Sequence, residues 1–159
     1  MSEKSKRISR LIQAAQIEDI RLVETTAQTR IRSAKDAGPV DLKIKMSANV
    51  KEHHKDGTFF VLAMLEVRVV PPQSPENPVV SVKAGFELKY KLPKAFGATR
   101  RELDMFAKVN SLFNAWPYWR EFVQNTATRM NLPPIVLPLF RLADLTKTVP
   151  KQTSRAKAG

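Results

Sequence analysis

His53 and His54 are the only imidazoles in this chain of 159 residues, and they are adjacent. Neighbouring side chains in a charged turn point in different directions, and no second histidine or acid stands at a metal-ligand spacing from them. The pair therefore reads as a solvated turn. There is no cysteine, which removes thiolate ligands, disulfides and cysteine nucleophiles. The five glycines are scattered, so neither a phosphate-cradling loop nor a dinucleotide fingerprint is present, and no Gly-x-Ser-x-Gly elbow occurs. Glu18, Asp19, Glu24 and Asp104 read as strand-edge or helix-face charges. Neither enzymatic activity nor a metal or cofactor is expected.

What remains is charge. The net charge of +12 points to acidic partners, because clustered lysine and arginine release counterions from a phosphate backbone. Residues 1–10 carry +3 and residues 147–159 carry +4, so 7 of the 12 charges lie at the two ends. The last stretch, 148–159, has no hydrophobic periodicity and is expected to be a disordered basic tail after a single domain over 1–147. Lys43, Lys45, Lys83, Lys89 and Lys91, extended by Arg30 and Arg32, offer a basic sheet face and hence an alternative reading, a nucleic-acid-binding module. The wet positions of the second and fourth strands hold no aromatic for base stacking, which favours a solvated face. Met1 to Arg10 is charged and precedes no unbroken apolar run, so no secretory signal or membrane insertion is expected and the cytoplasm is the default location.

Periodicity places these residues on elements. Ile8, Leu11, Ile12, Ala15 and Ile20 recur at helical spacing, which predicts an amphipathic helix up to about Ile20. Val23 to Ile31 alternates as a first strand. Val40, Leu42, Ile44, Met46, Ala48 and Val50 alternate with polar residues as a second. After a turn closed by Asp56-Gly57, Phe59 to Val70 is a third strand, and Val80 to Leu92 is a fourth beyond a proline-rich loop. The fold class is α+β, a four-stranded antiparallel sheet with helices on one face. Thr99 and Glu102 form a capping pair before Leu103, Phe106, Val109 and Phe113. Pro117 predicts a break at Trp116 and a second helix from Pro117 to Met130, stopped by Asn131 and Pro133-Pro134. An apolar connection, "LPPIVLPLF", then leads to a short helix over 141–147.

"AWPYWREF", residues 115–122, holds both tryptophans. Trp119 lies three residues before Phe122 on one stripe, which core packing explains, and Trp116 is expected where two helices meet. The segment from Ala115 to Phe140 resembles the signature of the SecB-type export chaperones. Trp116-Pro117-Tyr118-Trp119-Arg120-Glu121 matches the family's Phe-Pro-Tyr-x-Arg-Glu motif with Trp for Phe. Leu132, Pro133, Ile135, Leu137, Pro138 and Phe140 match its Pro-rich segment, apart from one deleted residue. Element order agrees over about residues 20–147, and "AAQIEDIRLV" resembles the SecB-like chaperones found beside toxin-antitoxin pairs.

The resemblance implies a dimer of dimers, built in this chain on Pro117 to Met130. Trp116, Pro117, Tyr118, Trp119, Arg120 and Glu121 would start and anchor that helix. It also implies an ATP-independent holdase that keeps unfolded chains in apolar grooves, here lined by Val40, Leu42, Ile44 and Met46 and by Ile135, Leu137, Leu139, Phe140, Leu142 and Leu145. Clients for export, or one dedicated client such as an antitoxin, are the uses implied. Export members dock on the motor SecA through carboxylates. The arginines and lysines of this chain's first two strands argue against that docking and for acidic clients.

Overall fold

The computed structural model describes residues 2–140. The expected helix over 141–147, with Leu142 and Leu145, and the tail over 148–159 lie outside the described residues. In chain order come helix α1 (Glu3–Ala14), strands β1 (Gln16–Thr29), β2 (Asp41–His53), β3 (Thr58–Val70) and β4 (Val80–Lys91), then α2 (Arg100–Phe106), a π-helical turn (Ala107–Ser111) and α3 (Leu112–Arg129). The antiparallel sheet has the order β1-β4-β3-β2, so the first strand lies beside the last and β1 and β2 form the edges.

Two expectations are corrected. The first helix stops at Ala14 rather than near Ile20, with Ala15 already extended (φ −72°, ψ 122°), and the strand begins at Gln16. Pairing with β4 takes up the backbone groups on one side of this stretch, and cross-strand ion pairs Arg21–Glu87 (2.8 Å) and Lys89–Glu18 (3.0 Å) accompany it. Ile20, which continued the helical stripe in the sequence, lies half-buried on this strand, and Ile17, Leu22 and Val23 stay exposed on it. Secondly, there is no break at Trp116: the chain is helical from Arg100 through Arg129 with Pro117 inside. Pro117 is exposed, so its ring sits on the solvent side of the helix rather than against the core. Asn131 ends the helix at φ 59°, with Asn131 N–H bonded to Thr128 O (3.0 Å) and Leu132 N–H to Ala127 O (3.1 Å), a left-handed stop as expected.

The chain divides into two compact units, the first made of the segments up to Val23, Met46–Met64 and Gly85–Ala115, the second of Glu24–Lys45, Leu65–Ala84 and the segment from Trp116. In the first unit Phe59 stacks on Tyr90 at 5.0 Å, and both rings meet the edge of Phe106 at 5.6 and 4.9 Å, which seats α2 on the sheet. The β2–β3 turn needs Gly57: its φ is +90°, and a Cβ there would lie 2.1 Å from Leu92 O.

Helix α1 is fastened to the same unit by fully buried Leu11 and by Arg7. The Arg7 guanidinium donates to Glu102 and to Gly97 O (3.1 Å) and lies 5.5 Å from the Phe96 ring centroid. Glu102 also completes the Thr99 capping box, so one carboxylate serves both the start of α2 and the docking of α1. Arg7 holds the Glu102 carboxyl below its ordinary pKa, with the Thr99 bonds adding to the effect and burial opposing it. A depressed folded-state pKa contributes stability above the ordinary carboxylate range that is lost as pH falls through the lowered value. Arg7→Gln is therefore expected to be less stable than the parent at neutral pH, with the gap closing in acid. Denaturant titrations along a pH series check this, and a gap constant with pH would contradict it.

Candidate functional site

In the second unit, α3 holds the Pro-rich extension through side chains of the "AWPYWREF" stretch. Trp119 is fully buried and its Nε1–H donates to Ala84 O of β4 (3.2 Å), which fixes α3 on the sheet. Trp116 meets it edge-on at 6.3 Å and donates from Nε1 to Pro138 O (2.9 Å). One turn further along α3, Arg120 donates from Nε to Leu137 O (3.1 Å). Proline-rich backbone cannot enter a ladder, so its carbonyls need such donors. Phe140 packs against the Trp116 ring at 5.0 Å.

This grip sorts the apolar residues of the extension. Leu137 is fully buried and belongs to the core, whereas Val136 is 60% and Leu139 68% exposed. Ile135, Pro138 and Phe140 are half-buried. Val136 was not among the candidates; only the inward setting of Leu137 turns its neighbour outward. Val40, Leu42 and Ile44 of the same unit are half-buried at the start of β2, and Met46, also half-buried, belongs to the first unit. Of the motif residues, Pro117, Tyr118 and Glu121 face solvent, Tyr118 being 46% exposed, and Glu121 accepts from Asn125 one turn on.

Charge is arranged differently on the two strands that carry the lysines. Each lysine of β4 has an acid: Lys83–Glu24 (3.9 Å), Lys89–Glu18 (3.0 Å) and Lys91–Asp56 (2.8 Å). Asp56 is held well below the usual carboxylate range by Lys91 and by Thr58. On β2, Lys43 and Lys45 are exposed, and among the described residues neither has an ion-pair partner. Among the described residues no group of three or more His, Asp or Glu could hold a metal ion, and no helix is long and apolar enough to cross a membrane.

The four-stranded antiparallel sheet, the N-terminal helix and the long C-terminal helix together make this a SecB-like chaperone fold. The solved structure of the Mycobacterium tuberculosis Rv1957 SecB-like chaperone, in complex with a ChAD peptide from the Rv1956 HigA1 antitoxin, is similar to this chain at 25% identity and a TM-score of 0.74, over 86% of this chain and 97% of that one. A protein of unknown function from Streptococcus agalactiae is similar at 8% identity and a TM-score of 0.48, over 79% and 97% of the two chains. No family model matches the sequence, and no curated protein does.

Proposed function

We propose that this protein is an ATP-independent holdase that binds unfolded or partly folded polypeptide, and that it serves a dedicated client such as an antitoxin rather than general export. The likeness to a SecB-like chaperone bound to an antitoxin peptide carries this reading. The site supports it physically. Val136 and Leu139 stand exposed on an extension held by Trp116 and Arg120, an apolar surface that needs little ordering of its own when a client binds. Val40, Leu42 and Ile44 supply a second apolar row in the same unit.

Assembly as a dimer of dimers would use the solvent-facing side of α3 around Pro117, Tyr118 and Glu121. A cytoplasmic setting suits such a client. The nucleic-acid alternative loses support from the paired lysines of β4, which have little charge left to offer a phosphate backbone.

Titration with a permanently unfolded, net-neutral protein at physiological and at high salt tests the reading, with a duplex and a single-stranded oligonucleotide alongside. Capture of the unfolded chain that persists in high salt is the expected result. No capture, with salt-sensitive oligonucleotide binding, would contradict it.

A further inference from the structure

The open edge of β2 points to the kind of client segment this chain takes. We propose that an extended acidic segment, alternating apolar and carboxylate residues, adds to β2 over Asp41–Lys45 as a further strand. The inference rests on the chaperone reading and specifies its substrate.

Three observations carry it. β2 ends the strand order, so its outer backbone groups have no strand beside them. Along that edge half-buried Leu42 and Ile44 alternate with half-buried Asp41 and exposed Lys43 and Lys45, so one face of the strand is apolar and the other carries one acid against two lysines. A strand laid against this edge places one set of side chains opposite the leucine and isoleucine and the other set opposite the lysines. Apolar residues suit the first and carboxylates the second. The lysines are also available, since Lys43 and Lys45 lack an acid among the described residues whereas all three lysines of β4 have one. Exposed Arg30 and Arg32 of the same unit add to the positive field, in a chain of net charge +12.

Fluorescence anisotropy of the full chain with three labelled peptides tests the proposal: one alternating valine and glutamate, one alternating valine and lysine, and the glutamate peptide N-methylated at alternate backbone positions. The glutamate peptide is expected to bind about tenfold more tightly than the lysine peptide, as two cross-strand charge pairs imply. N-methylation should abolish its binding, and Lys43→Glu/Lys45→Glu should reverse the charge preference.

Equal binding of the two charge forms overturns the proposal even if the double variant fails to fold. So does undiminished binding of the N-methylated peptide. A change in the oligomeric mass of the double variant with peptide binding unaltered also overturns it, because a second copy of the chain would then occupy the edge. Capture of the unfolded net-neutral protein without charge discrimination among the peptides refutes only the strand-addition proposal. Capture of neither refutes the chaperone reading itself.

Discussion

Trp119→Ala is expected to lower folding stability by about 3–5 kcal/mol, the range for removing a buried large aromatic. Trp119 is fully buried, touches Trp116 edge-on, and anchors α3 to β4 through its hydrogen bond to Ala84 O. The loss therefore combines a large cavity with a broken helix-to-sheet bond. Trp119→Phe keeps most of the volume and removes the donor, so it should cost less, about 1–3 kcal/mol, from the N–H bond and the residual space. Urea unfolding of the three proteins checks the order. A Trp119→Ala protein as stable as Trp119→Phe would show that the anchor is not where the geometry puts it.

The second large effect is on binding. Val136 and Leu139 are the most exposed large apolar residues among those described, so replacing both by glutamate leaves no hole in the core. If a client covers them, each loses roughly 1–2 kcal/mol of apolar burial, and the pair about 2–4 kcal/mol. That corresponds to roughly a hundredfold weaker Kd. Thermal stability should stay near the parent value, because surface substitutions away from special features change it by about 0.5 kcal/mol or less. Titration with an unfolded client and a melting curve on the same sample test both halves. Leu137→Glu, by contrast, would strike a fully buried residue and confound folding with binding.

Much of the sheet was legible because its strands alternate with period two. Val40 to Val50 and Val80 to Leu92 each present one apolar set, and the structure has β2 and β4 there. The Thr99–Glu102 capping box and the left-handed Asn131 were readable from local chemistry for the same reason: one side chain and one backbone angle decide them. The start of β1 was not readable. Ile8 to Ile20 fits a helical stripe, and only pairing with β4, a long-range interaction, turns residues 16–20 into strand. Pro117 misled in the opposite way, since a local rule that breaks helices was overridden by Trp116 and Trp119 packing on either side of it.

In the site, the motif residues could be picked out as a group, but their division of labour could not. Trp116 and Arg120 turn to the extension, Trp119 to the sheet and Tyr118 to solvent, because successive helix positions are rotated relative to one another. Similarly, the extension's composition marked it as apolar, while the choice of Leu137 for the core and Val136 and Leu139 for the surface depends on two hydrogen bonds from α3. The ion pairs that neutralise β4 and leave β2 charged depend on which acids of β1 and the β2–β3 turn reach which lysine.

The most direct measurement places a photo-activatable cross-linking residue at Leu139 of the full chain, with a control at exposed Lys55 in the β2–β3 turn, and irradiates each in the presence of a permanently unfolded protein. A client adduct from position 139 and none from position 55 is the predicted result. Adducts of equal yield from both positions, or from neither while the unfolded protein is still bound, would contradict the claim that the extension held by Trp116 and Arg120 is the surface that receives the client.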